Sequence, residues 1–202
     1  MFAIAIDLGT TTLAASLIEC ETGKRICMTG SMNPQRRFGA DVVSRLDAAV
    51  NSADVLLEMT ALIRQELQHL SLELCVTAHV AWSEVSQIAI AGNPAMQHLL
   101  LGLPVKSLAF PPYRPIHTEG MRLKAVDLDW GGSADVYVFP MPGGFVGGDT
   151  VAFVFGNLGV GTADQGPGNS GGLYSTLRLR SGQTLNPDVR HGHQRRDGAG
   201  CR

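Results

Sequence analysis

The stretch "IAIDLGTTTLAASLIE", residues 4–19, restricts the fold more than any other part of the chain. It runs apolar up to Asp7, breaks into one glycine and three threonines, and turns apolar again at Leu13. Two strands joined by so short a break are antiparallel neighbours. An ordinary hairpin needs neither a carboxylate at the strand end nor a row of hydroxyls. A tight turn of this composition can wrap around a phosphate. Gly9 lets the backbone approach closely, the turn N–H groups form an anion-binding concavity, and Thr10, Thr11 and Thr12 add donors. Asp7 repels phosphate directly but can hold Mg²⁺ or its water shell, since Mg²⁺ accepts one or two carboxylates beside phosphate oxygens. The expectation is an Mg-nucleotide site, with Asp7 as metal ligand and Gly9 to Thr12 as phosphate contacts. The competing reading is a plain hairpin whose threonines favour β structure.

The neighbouring sequence extends the sheet. Residues 2–8 read as a buried strand and residues 12–20 as a second. "ETGK" supplies a turn, and residues 25–32 read as a third strand, which completes an antiparallel meander. "NPQRRFG" reads as a loop. Val43, Leu46 and Val50 then recur at helical spacing. "NSAD" offers an N-cap to a second helix, whose apolar face is Leu56, Met59, Ile63, Leu67 and Leu70. Residues 85–91 read as a buried strand. In "GNPAMQHLLLG", Asn93 suits the cap, Pro94 the first helical position and Gly102 the C-terminal stop. "LAFPPYRPIH" is a proline-rich connection, residues 136–139 a further strand, and "DTVAFVFG" the start of a helix. This order of strands and helices predicts an α/β domain with a mixed sheet.

The chain has 202 residues, 45% of them hydrophobic and 17% charged, with a formal net charge of −2. That is the balance of a water-soluble globular domain, with no electrostatic case for nucleic acid or an anionic membrane as partner. No run approaches the roughly 18 apolar residues of a membrane span. The first strand starts without a basic leader or cleavage site, so the expected location is cytoplasmic. The spacings of Cys20, Cys27, Cys75 and Cys201 match no zinc or iron–sulfur pattern. Cys20 and Cys27 flank "ETGK" and could face each other across a hairpin; the expected reading is two small apolar strand residues, with a redox pair as the alternative.

Composition changes after about residue 157. Beyond it there is no lysine and no glutamate, and ten of the 24 glycines fall there. Residues 1–156 are therefore expected to form the folded subdomain, and 157–202 a disordered or frameshifted tail. The H-x-H of His191 and His193 within that tail is no metal site without order around it.

"DLGTTT", "NPQRRFGADVVSRL", "AIAGNPAMQHLLLG" and "FPMPGGFVGGD" occur in series over residues 3–156. The first resembles the leading phosphate motif of the acetate kinase, sugar kinase, heat-shock chaperone and actin superfamily. The four together resemble the ATP-dependent reductive activators of corrinoid proteins. That resemblance implies an RNase H-like, actin-like ATPase fold in two halves with nucleotide between them. It implies ATP and Mg²⁺ as cofactors, and ATP hydrolysis coupled to reduction of Co(II) corrinoid to Co(I). The implied partners are a corrinoid protein and an electron-donating iron–sulfur protein or domain, with a homodimer also open. Two departures stand out: no ferredoxin-type cysteine cluster is encoded here, and no second phosphate motif of the D-x-G-T-N-G-E kind. Both point to a fragment of, or frameshifted copy from, a longer protein.

Asp149, in "GGFVGGDT", resembles the aspartate before the connecting helix of hexose kinases, where it acts as a base. In a hydrolase the same carboxylate would orient water toward the γ-phosphate. The simpler alternative is a helix cap, and Gly147 and Gly148 read as backbone geometry rather than ligand contact. Asn93 is expected to cap its helix and His98 to lie on that helix's surface. Arg36, Arg37 and Asp41 read either as partner contacts or as loop-positioning groups. Beside the corrinoid activator stand two alternatives: a small-molecule kinase of the same superfamily, and a non-catalytic domain that dimerises or docks a corrinoid protein.

Overall fold

A computed structural model describes residues 1–158 of the chain. Residues 157 and 158 of the expected tail fall in a helix, and the rest of that tail, with the H-x-H pair and Cys201, lies outside the described residues. Six strands form one mixed sheet. β1 (Phe2–Leu8), β2 (Thr12–Glu19) and β3 (Arg25–Met32) make the meander, followed by β4 (Val85–Gly92), β5 (Met121–Lys124) and β6 (Asp135–Val138). The spatial order is β3-β2-β1-β4-β6-β5. β1 pairs antiparallel with β2 and β2 with β3, whereas β1, β4 and β6 run parallel. The expected α/β class, with a mixed sheet and three antiparallel leading strands, is the one observed.

The helices are α1 (Val42–Asn51), α2 (Ala53–Ala78), α3 (Pro94–Leu101), the single turn α4 (Lys106–Ala109) and α5 (Gly148–Leu158). β5 has no counterpart among the sequence expectations. Its four residues "MRLK" are too short for an alternation to stand out, and it forms by antiparallel pairing with β6. "NPQRRFG" is not a plain loop: Pro34–Phe38 form a 3₁₀ turn capped by Asn33.

The two sheet faces have different cores, as the period of two in a strand requires. Ile4, Ile6, Leu8, Leu13, Leu17, Ile88, Ile90, Val136 and Val138 meet Met59, Ile63, Leu67 and Leu70 of α2 and Met96, Leu99 and Leu100 of α3. Each such side chain is worth about 1.5–3 kcal/mol on full burial, so this face dominates stability. The helical reading of residues 43–50 holds, but Val43 points outward at 75% exposure while Leu46 and Ala49 are buried. The opposite face is built on small residues. Ala89 and Ala91 pack with Phe139 against Ala152 of α5.

Cys27 lies opposite Leu17 in the β2–β3 register, so it does not face Cys20 and the redox-pair alternative falls. A register shift between Leu17 and Ile18 moves the two thiols out of line. Cys27 instead donates to the Leu74 carbonyl on α2 at 3.6 Å, and Cys20, Cys27 and Cys75 are all free.

Candidate functional site

The C-terminal ends of the parallel strands β1, β4 and β6 lie side by side, and each leads into one part of the site. Open α/β sheets place their ligands outside this edge. β1 ends in Asp7, Leu8 and the Gly9–Thr11 turn, β4 leads into Asn93 and α3, and β6 leads through a glycine-rich bend into Asp149 and α5.

Asp7 projects on the α5 side of the sheet, because Ile6 and Leu8 take the other face. Its partners across the sheet are Ala14 on β2 and Ala91 on β4. These small neighbours leave its carboxylate open to solvent. The surrounding protein still removes part of its hydration. That desolvation, followed by the negative charge of Asp149, raises the Asp7 pKa above the usual carboxylate value. The Asp149 carboxylate at the start of α5 is thus near enough for its charge to act on Asp7.

The turn itself is closed by backbone contact. A Cβ on Gly9 would stand 2.3 Å from the Thr12 carbonyl oxygen, so no larger residue fits this chain path. Two asparagines hold the turn from opposite sides. Asn33 donates Nδ2 to the Gly9 carbonyl at 2.9 Å, and its backbone N–H donates to the Thr11 carbonyl at 2.9 Å. Asn93 donates Nδ2 to Thr10 Oγ1 at 2.9 Å. Each asparagine precedes a proline and uses its side-chain oxygen as a cap: Asn33 Oδ1 accepts from Gln35 N–H, and Asn93 Oδ1 from Met96 N–H. The Asn-Pro pair is thus used twice, with the acceptor turned to a helical turn and the donor to the Gly9–Thr11 turn.

Asp149 sits inside the first turn of α5, after Gly148, and its Oδ1 accepts from the next residue's N–H at 2.8 Å. It is therefore not the residue preceding the helix. A carboxylate is favoured there by the positive end of the helix dipole. Gly147 and Gly148 serve backbone geometry, as expected. A Cβ on Gly147 would meet Asn93 Cα and the Gly92 carbonyl oxygen at 2.6 Å each, and one on Gly148 would meet Gln97 Nε2 at 2.4 Å.

The structure thus brings together Asp7, Thr10 and Asp149, with Asn93 between turn and bend. Thr11 and Thr12 are exposed along the same edge. Among the described residues no group of three or more His, Cys, Asp or Glu side chains gathers as a metal cage. A carboxylate such as Asp7 could hold Mg²⁺, a cation that accepts one or two carboxylates beside water and phosphate oxygens.

Other expectations change. His98 is fully buried rather than on the surface, with Nδ1 3.0 Å from the Pro104 carbonyl. Helix α3 is buried along almost its whole length, so it has no polar face for a histidine to occupy. Asp41 caps α1 in a reciprocal box with Ser44, and Arg37 pairs with Glu58 of α2. Two of the uncertain groups in "NPQRRFGAD" thus have local structural partners.

Asn33 and Arg45 were not among the sequence candidates. The first had a signal in its Asn-Pro pair. The second falls three and four residues from Val42 and Ala49, on the buried helix face. Arg45 is wholly buried; Nε donates to the Gly39 carbonyl at 2.9 Å and Nη1 contacts Met96 Sδ at 3.5 Å. The same sulfur receives Asn33 Nδ2 at 3.6 Å, so Arg45 stands directly behind the turn's support.

The family model describing the RACo middle region matches residues 2–157. The chain belongs to the RACo family. A curated RACo-type relative, the corrinoid activation enzyme RamQ of Eubacterium limosum, is 31% identical over 158 residues, covering 77% of this chain and 27% of RamQ. The solved structure of a reductive activator for corrinoid,iron-sulfur protein is 29% identical and superposes with a TM-score of 0.73, covering 77% of this chain and 25% of that one. The chain thus spans about a quarter of the length of the relatives it matches. The family and its fold agree with the resemblance carried by the four motifs. No described helix is long and apolar enough to cross a membrane.

Proposed function

We propose that residues 1–156 form one side of an Mg-nucleotide cleft in a corrinoid activator, which couples ATP hydrolysis to reduction of Co(II) corrinoid to Co(I). The observation that carries this is the convergence of the Asp7–Thr12 turn and Asp149 at one sheet edge. Gly9 to Thr12 would receive phosphate oxygens through N–H and hydroxyl donors. Asp7 would hold Mg²⁺ or its water shell, and Asp149 would orient water toward the γ-phosphate. Mg²⁺, when bound, supplies charge neutralisation for the phosphates. The negative charge of Asp149 acting on Asp7 supports this assignment, because a divalent cation held at Asp7 would offset it.

The names of the two relatives support corrinoid activation as the process served. A corrinoid protein would be the partner acted on. Electrons would come from an iron–sulfur protein or domain, since the cysteines here do not supply such a cluster. The deciding experiment measures ATP hydrolysis and Co(I) absorbance for a full-length homologue carrying this segment, with and without its corrinoid protein. Corrinoid-stimulated ATPase that is lost in Asp7→Ala and Asp149→Asn supports the activator. Phosphorylation of a sugar or carboxylate would assign a kinase with Asp149 as base. Corrinoid-protein binding without nucleotide turnover would assign a docking domain.

A further inference from the structure

The contacts of Asn93 exceed those of a cap. Its Oδ1 accepts from Met96 N–H at 3.0 Å, which only the oxygen end of the amide can do. Its Nδ2 therefore faces Thr10, as a donor to Oγ1 at 2.9 Å. With an oxygen lone pair so occupied, the Thr10 hydroxyl proton points elsewhere, and no acceptor for it is found among the described residues. Aspartate would satisfy the same cap but carries no donor, and serine has a single oxygen, which the cap holds at the Met96 N–H, with no second polar atom to reach Thr10.

Asn93 is also held from three directions. A Cβ on the preceding Gly92 would stand 2.7 Å from the Leu8 carbonyl oxygen. Pro94 follows and fixes the helix start. The bend before α5 packs on Asn93 Cα through Gly147. Few rotations remain open to the amide.

We propose that Asn93 is a positioning residue that locks the Thr10 hydroxyl as a hydrogen-bond donor toward a bound phosphate. The proposal rests on the Mg-nucleotide assignment and adds the residue that sets the polarity of its first threonine. Asn93 also contacts both parts of the site, the turn through its side chain at Thr10 and the bend before Asp149 through its Cα at Gly147.

The test is an NMR titration of the 202-residue chain with Mg-ATP up to millimolar concentration, which reads weak affinities directly. The variants are Asn93→Ser, Thr10→Val and their double mutant. Asn93→Ser keeps a cap and removes the amide nitrogen that reaches Thr10 Oγ1. Its urea-unfolding midpoint should stay close to wild type while its dissociation constant rises about tenfold, as for loss of one hydrogen bond to a charged group. Thr10→Val should weaken binding similarly, and the double mutant should be no weaker than Thr10→Val alone. Fully additive losses, or an Asn93→Ser affinity within twofold of wild type while Thr10→Val binds weakly, would overturn the positioning role and leave the nucleotide site standing. Absence of Mg-ATP binding by the wild-type chain would overturn the nucleotide assignment and this proposal with it.

Discussion

Asn33 reaches back 24 residues to hold the Gly9 carbonyl with its side-chain amide at 2.9 Å. The same side chain caps the 3₁₀ turn that follows it, and it is wholly buried. Removing it leaves the Gly9 carbonyl and the Gln35 N–H without partners. Asn33→Ala is therefore expected to cost about 2–4 kcal/mol, from two unmet buried groups. Urea unfolding measures this. A loss under about 0.5 kcal/mol would show that water replaces both bonds.

Gly9→Ala tests the closeness of the turn. The added methyl would lie 2.3 Å from the Thr12 carbonyl oxygen, which is backbone and cannot swing away. The expected cost is about 1–3 kcal/mol, the range for strain from forced overpacking. Gly131→Ala is the control, because a methyl there meets nothing within 4 Å. Equal unfolding midpoints for the two variants would rule out the clash.

Asp7 gives a pH signature. Its pKa is raised in the fold by lost hydration and then by Asp149. A carboxyl group shifted upward contributes stability that is complete below its unfolded value of 3.8 and disappears as pH rises through the folded pKa. At pH 7 the charged form therefore costs stability. Asp7→Asn should unfold at slightly higher urea than wild type at pH 7, by less than about 1 kcal/mol because solvent screens the exposed group. The gap should close on acidification below 3.8. Its persistence at pH 3 would assign the difference to something other than ionisation.

His98 shifts the other way. Burial, opposed by the Pro104 hydrogen bond and reinforced by His117, lowers its pKa from 6.5. The neutral ring contributes stability that is complete above 6.5 and is lost as pH falls through the folded pKa. The wild-type chain should thus weaken between pH 7 and pH 5. His98→Asn keeps a donor near the Pro104 carbonyl but cannot titrate, so its stability should fall less over that interval. Parallel curves for the two proteins would remove His98 as a source of the acid sensitivity.

Local sequence sufficed for the strand meander, the long α2 face and the caps at Ser52 and Asn93, because periodicity and capping act over a few residues. It also sufficed for the tight turn at Gly9 to Thr11 between two antiparallel strands. β5 was not legible, since a four-residue edge strand depends on its partner for its existence. Nor was the burial of His98 and Arg45, whose environments come from elements distant in the chain.

By itself the sequence determined which chemistry is present: a carboxylate before a glycine–threonine turn, and a second carboxylate after a glycine-rich bend. Only the tertiary structure decided that the two meet. Parallel pairing of β1, β4 and β6 sets their ends along one edge, and the small residues of one sheet face let α5 settle close to it. The dual use of Asn33 and Asn93 was equally undecided until the fold formed. A cap needs only the next few residues, whereas the second hydrogen bond of each asparagine needs the turn at Gly9 and Thr10 brought within 3 Å.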